Sequence, residues 1–141
     1  MQQVPDRRRF LAVAGTTATV GVAGCLGLFE SDDFDIGMTA AAFTPQTLSI
    51  SVGTTVVWKN TSSRSHTVTA YERTLPEGAA FFATGGYESE AAAREAWESE
   101  GEGILTTNEI FEYTFEIAGD YPYVCLPHER GGMVGTIEVR E

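Results

Sequence analysis

Three side chains with metal-binding chemistry lie close together near the C-terminus of the chain. Cys125 is followed three residues later by His128 and eight residues later by Met133, within the segment YPYVCLPHERGGMV. A thiolate, an imidazole and a weak axial thioether are three of the four donors that suit a single type 1 copper ion, and a second imidazole is the fourth. The spacing Cys-x2-His-x4-Met therefore predicts most of a copper site.

His66 is the candidate for the second imidazole, because it is the only other histidine in the chain. It could reach the loop if folding brings the two segments together. Taken singly, a histidine after a turn is commonly exposed, and a methionine beside glycines commonly packs in a core. Two histidines, a cysteine and a methionine in this arrangement together favour a metal site over four unrelated residues.

The segments around these residues have the period-two alternation of half-buried strands. Leu48, Ile50 and Val52 alternate with polar residues, and the large apolar residues from Phe111 to Ile117 alternate in the same way. Short strands separated by turn signals predict an all-β sandwich of antiparallel strands. The expected strands are Phe34–Met38, Thr47–Val52, Thr54–Asn60, His66–Tyr71, Phe111–Ile117, Tyr121–Cys125 and Val134–Arg140.

One segment has the composition of a helix. The stretch 88–100, ESEAAAREAWESE, is rich in helix formers and places Glu90 and Arg94 at i,i+4 spacing. Ser89 is the predicted N-cap and Gly101 the predicted end. The sequence therefore predicts one short helix within a long crossover from 72 to 108.

The N-terminus has the features of an exported lipoprotein. Three consecutive arginines at 7–9 precede an apolar run, 11–23, that is too short for a confident membrane span. The run ends in VAGC, which resembles a lipobox and makes Cys25 the predicted lipidation site. The predicted organisation is a twin-arginine lipoprotein signal peptide at 1–24, a tether at 25–33 and one domain at 34–141.

Charge and composition limit the partners of the protein. The formal net charge is −11, and Lys59 is the only lysine, so nucleic acid is excluded as an expected partner. The acidic surface is typical of a salt-adapted protein. If Cys25 is lipidated, Cys125 has no disulfide partner, and metal binding would protect its exported thiol.

From Gly119 to Val139 the sequence resembles the copper loop and last strand of plastocyanin-type cupredoxins, and especially halocyanin-like proteins of salt-loving archaea. The resemblance implies a Greek-key β-sandwich and one type 1 copper ion. It implies His66, Cys125 and His128 as equatorial ligands, both histidines through Nδ1, with Met133 as the axial ligand and the outer edge of His128 near the surface. Many members have asparagine after the first histidine, where this chain has Thr67.

The resemblance implies a one-electron carrier and not an enzyme. We expect a monomer, lipid-anchored on the outer face of the cytoplasmic membrane, that exchanges electrons with redox proteins of that membrane. A protein that stores or delivers copper would use the same ligands and is the alternative. A cysteine–histidine nucleophile is disfavoured, because it leaves His66 and Met133 without a role.

Overall fold

The computed structural model of the protein describes residues 33–141. The predicted signal peptide, the predicted lipidation site Cys25 and most of the predicted tether lie outside these residues. No helix among the described residues is long and apolar enough to cross a membrane.

Two four-stranded sheets pack face to face and form a β-sandwich, as the alternating sequence predicted. The first sheet has the order β2-β1-β4-β6, and the second has the order β3-β8-β7-β5. The strands are β1 Ile36–Met38, β2 Phe43–Thr44, β3 Thr47–Ser51, β4 Thr54–Asn60, β5 Thr69–Ala70, β6 Ile110–Phe115, β7 Gly119–Val124 and β8 Val134–Arg140.

The sandwich is not purely antiparallel, which corrects the sequence-based expectation. β1 runs parallel to β4, and β3 runs parallel to β8, while the remaining pairs are antiparallel. The reason is that the chain changes sheets between β2 and β3 and again between β3 and β4. Neither parallel pair is therefore joined by a direct hairpin, and periodicity alone does not report such sheet changes.

An aromatic core fills the space between the sheets. Trp58 is fully buried and packs edge-on against Tyr123, with ring centroids 5.4 Å apart. Phe115 packs in the same way on Tyr121 at 4.8 Å. These side chains point inward because they occupy alternate positions of β4, β6 and β7.

The expected strand His66–Tyr71 is wrong over most of its length. Only Thr69 and Ala70 form a strand, which pairs with β7. His66 instead makes an isolated two-hydrogen-bond pairing with Leu105, in the crossover. Because His66 pairs with Leu105 and not with β7, it lies outside the sheet, and its imidazole approaches Cys125 in the loop after β7.

The crossover contains the predicted helix, α1, at Glu90–Glu100. The Ser89 hydroxyl accepts a hydrogen bond from the Ala92 N–H at 3.1 Å, which is the expected N-cap. Gly101 ends the helix in the left-handed conformation, with φ of 65°. The expected Glu90–Arg94 ion pair is also present, at 2.8 Å.

Candidate metal centre

Cys125 begins the loop that follows β7, and a short 3₁₀ segment, Leu126–Gly131, continues it. The Cys125 N–H donates a hydrogen bond to the Met133 carbonyl at 3.0 Å, so the two ends of the loop are joined directly. The adjacent strands β7 and β8 are paired up to Val124 and Val134. The side chain of Cys125 is therefore held at the end of a rigid ladder, and it is fully buried.

The two histidines meet at the sulfur of Cys125. Nδ1 of His66 lies 3.4 Å from Sγ, and Nδ1 of His128 lies at the same distance from it. The three donor atoms lie within 4.8 Å of one another. Two imidazole nitrogens and one thiol sulfur thus converge from segments that are 59 residues apart in the chain.

The protonation states suit a metal site. Burial lowers the pKa of both His66 and His128 below the ordinary histidine value. Both rings are therefore neutral at pH 7, and each keeps a lone pair on one nitrogen. Burial raises the pKa of the Cys125 thiol, so a metal ion must displace its proton in order to bind the sulfur.

Thr67 joins the two ligand segments. Its hydroxyl accepts a hydrogen bond from the Leu126 N–H at 2.8 Å, and its own N–H points at Cys125 Sγ from 3.5 Å. Threonine thus ties the loops together at the position where the resembling family often has asparagine. The sequence shows this difference but not the contact, because Thr67 and Leu126 are 59 residues apart in the chain.

A second group of polar residues orients His66 from the opposite side. The Ser62 hydroxyl donates a hydrogen bond to Oδ1 of the buried Asn60 at 2.9 Å and lies 3.1 Å from His66 Nε2. Metal binding through Nδ1 requires the His66 proton to lie on Nε2, where the Ser62 hydroxyl can accept it while donating its own proton to Asn60. Nδ1 is then left unprotonated and faces the sulfur. The local sequence around Ser62 indicates only a polar turn.

Asn60 itself is fixed by the surrounding backbone. Its amide nitrogen donates hydrogen bonds to the carbonyls of Arg64, at 2.6 Å, and Leu105, at 2.8 Å. Its oxygen also accepts from the Ser62 N–H. The orientation of the His66 ring is therefore linked to β4, where Asn60 ends the strand, and to the crossover.

Met133 is the fourth residue that the sequence singled out. It is almost completely buried, and it belongs to the same packed cluster as Cys125. Its N–H donates to the His128 carbonyl at 3.3 Å, which closes the loop around the two ligand candidates. The backbone of Met133 thus shapes the site, and its thioether remains the predicted axial donor.

The donor set fits copper. A thiolate with two imidazoles suits both oxidation states of that metal, and a hard oxygen-seeking cation such as Mg²⁺ would find no carboxylate in this cluster. His66 and Cys125 are buried, while His128 is only partly buried and provides an edge towards solvent.

Comparisons with known proteins agree with this geometry. Residues 31–140 match the family model described as copper binding proteins, plastocyanin/azurin family. The chain is 32% identical to plastocyanin of Scenedesmus fuscus over 101 residues, which covers 72% of this chain and 89% of the plastocyanin.

Solved structures show the same fold. A pseudoazurin from a Sinorhizobium species superposes with a TM-score of 0.55 at 25% identity, covering 75% of this chain and 72% of the other. Pseudoazurin from Methylobacterium extorquens superposes with a TM-score of 0.53, covering 75% and 73% of the two chains, and its 18% identity supports the fold alone.

Proposed function

Because this chain belongs to the plastocyanin/azurin family of copper-binding proteins, whose members are electron carriers and not enzymes, we propose that it transfers single electrons between redox proteins. The observation that carries the proposal is the approach of two imidazole Nδ1 atoms to one buried sulfur, each at 3.4 Å. Copper bound there supplies the redox chemistry by alternating between Cu(I) and Cu(II).

The proposed ligands are His66, Cys125 and His128, with the thioether of Met133 as a weak axial donor. The surrounding hydrogen bonds support this set, because they hold each segment by its backbone: His66 pairs with Leu105, and Cys125 pairs with Met133. A site fixed in this way changes little when an electron enters or leaves. Such rigidity lowers the reorganisation that accompanies transfer.

His128 is the proposed point of electron entry and exit. It is less buried than His66, and it lies in the loop at the end of the sandwich. A partner that docks over this loop would place its own redox centre near the edge of the ring. We propose an apolar contact here, because high salt suppresses recognition by charge.

We further propose a setting in the cell envelope. The twin arginines at 7–9, the lipobox-like VAGC and the acidic composition support a monomer of halocyanin type, exported by the twin-arginine route and anchored through Cys25 to the outer face of the cytoplasmic membrane. A Cys25→Ser variant should then be released from the membrane fraction with its domain intact. Equal membrane retention of both proteins would contradict the anchor.

The proposed electron transfer is tested by adding Cu(II) to the purified protein. We expect an intense blue colour that ascorbate removes and oxidation restores through several cycles. A Cys125→Ser control should bind copper without that colour, because the thiolate is responsible for it. A wild-type sample that binds copper without colour, or that cannot be reoxidised, would contradict the electron-carrier proposal and favour copper storage or delivery.

A further inference from the structure

Helix α1 is joined to the copper loop by a charged cluster. The Arg94 guanidinium donates two hydrogen bonds to the carboxylate of Glu129, at 2.8 and 3.0 Å, in the paired geometry that makes arginine–carboxylate contacts strong. Its Nε donates to Glu90, one helical turn earlier, at 2.8 Å. All three guanidinium nitrogens of Arg94 therefore form hydrogen bonds, which connect the helix with the segment 126–131.

Both carboxylates in this cluster are held by further groups. The Tyr71 hydroxyl donates to Glu129 at 2.9 Å. Glu90 accepts from the Glu72 N–H, while Glu72 accepts from the Glu90 N–H, both at 2.9 Å. The cluster thus connects three elements: the end of β5, the start of α1 and the copper loop.

The charged cluster adjoins a proposed copper ligand, because Glu129 directly follows His128 in the sequence. His128 itself departs from helical geometry, with φ of −120° and ψ of 21°. At the far end of the segment, a Cβ added at Gly131 or Gly132 would meet no heavy atom of the described residues within 4 Å, chain neighbours apart. These two glycines carry no side chain that could fix the segment, whereas Glu129 provides a side-chain anchor beside the histidine.

We propose that Arg94 is a positioning residue, which fixes the orientation of the His128 imidazole by holding Glu129. This inference rests on the proposed function, and it makes the crossover helix a functional part of the copper site. The Arg94 and Glu129 side chains are 30% and 34% exposed, and such an ion pair contributes only about 0–1 kcal/mol to stability. Its main effect should therefore be on the loop and not on the fold.

The test compares Arg94→Gln with Arg140→Gln in the full-length protein. Arg140 also forms ion pairs, with Asp120 and Glu138. It lies at the opposite end of β8 from the loop, about 20 Å along a seven-residue strand. The control thus removes an arginine of similar type without touching the copper loop.

Three measurements separate positioning from stability. In copper-free protein, NMR relaxation should show increased motion of residues 126–131 in Arg94→Gln, and no change there in the control. In copper-loaded protein, release of Cu(I) to a chelator should be about tenfold faster, at the lower end of the effects seen for groups that orient metal ligands. Electron self-exchange should be slower, because a mobile histidine increases reorganisation.

Two further variants make the outcome decisive. Glu129→Gln removes the ion pair but keeps an acceptor for Tyr71, so it should reproduce the effects even if Arg94→Gln folds poorly. Arg94→Lys keeps the charge without the paired geometry and should rescue the defects only in part. Unchanged loop motion and unchanged copper release in Arg94→Gln and Glu129→Gln would overturn the inference.

A failure of the proposed function can be distinguished from a failure of this inference. A wild-type protein that fails to give a reversible blue colour would defeat the electron-carrier proposal. The NMR comparison in copper-free protein would still decide whether Arg94 positions the loop.

Discussion

Two of the ligand candidates, His66 and Cys125, contact neighbouring polar groups that help to position them. Ser62 is such a neighbour for His66, since its hydroxyl lies 3.1 Å from Nε2 and can accept the proton that must be there if Nδ1 binds the metal. Cys125 receives the Thr67 N–H, at 3.5 Å. The reactivity of the site therefore depends on residues that bind no metal themselves.

Replacing Ser62 should weaken copper binding while the fold persists. Ser62→Ala removes the acceptor for His66 Nε2–H, so the ring loses its fixed orientation. We expect copper affinity to fall by about tenfold in a competition titration with a chelator. Ser63→Ala, at the exposed neighbouring position, is the control and should match the wild type. Equal affinities for all three proteins would show that Ser62 does not orient the ring.

Replacing Pro127 should raise the reduction potential. Proline has no N–H, so position 127 cannot donate a hydrogen bond to the Cys125 sulfur. Pro127→Ala creates a donor there, which draws electron density from the thiolate and favours Cu(I). The midpoint measured by a redox titration should rise, and an unchanged or lower midpoint would count against this explanation.

At the scale of elements, the pairing of β7 and β8 positions Cys125 relative to Met133. The close fit of these strands depends on Gly135, which lies opposite Tyr123. A Cβ at Gly135 would come within 2.5 Å of the Tyr123 hydroxyl oxygen and 2.6 Å of Cζ. A glycine in the strand interior is thus required by the bulk of its cross-strand neighbour.

Gly135→Ala should therefore destabilise the protein. We expect a loss of about 1–3 kcal/mol in urea unfolding of the copper-free form, because the strand or the tyrosine must move. Gly131→Ala is the matched control, since its new Cβ would meet no heavy atom of residues 33–141 within 4 Å apart from its chain neighbours, and it should change stability by less than about 0.5 kcal/mol. Similar stabilities for the two variants would refute the steric argument.

The elements that could be predicted from the sequence are those determined by contacts between residues close together in the chain. The helix and its two caps were predictable because Ser89, Arg94 and Gly101 each contact groups only a few residues away in the sequence. Long alternating strands such as β6 were predictable for the same reason. β2 has only two residues and shows no period, and the strand expected from His66 was shortened by its pairing with Leu105, across the crossover.

The same limit applies to the site. The residues Cys125, His128 and Met133 were found because one loop carries them. His66 was found only because the chain offers no other histidine. The Arg94–Glu129 contact, by contrast, joins residues 35 apart, and nothing in either local sequence indicates the partner.

At the scale of the whole molecule, the tyrosines share one property. The chain has five tyrosines, and the pKa of each one is raised. For Tyr71, burial and then the hydrogen bond to Glu129 raise the pKa to about 12. For Tyr123, burial is the main cause, and its hydroxyl has no well-formed hydrogen bond among the described residues.

The raised pKa values predict a loss of stability in alkali. The tyrosines of the unfolded chain have a pKa near 10, and those of the folded protein have higher values. As the pH rises, the unfolded chain therefore loses its tyrosine protons first. The stability that these tyrosines contribute is fully present below about pH 10, the pKa of the unfolded chain. It is lost as the pH rises through the higher pKa of the folded state. At pH 11, a tyrosine that ionises in the unfolded chain but stays neutral in the folded state lowers the free energy of unfolding by about 1.4 kcal/mol relative to pH 7.

Tyr123→Phe should remove part of this alkaline loss. Phenylalanine keeps the ring in the core and has no proton to lose, and at pH 7 the buried hydroxyl contributes little because it lacks a good partner. Urea unfolding of copper-free protein at pH 7 and pH 11 should therefore show a smaller difference for the variant, by about 1 kcal/mol. The raised pKa of the Cys125 thiol contributes equally to both proteins and cancels. If both proteins lost the same stability between the two pH values, the Tyr123 phenol would have to ionise as readily in the folded core as in the unfolded chain.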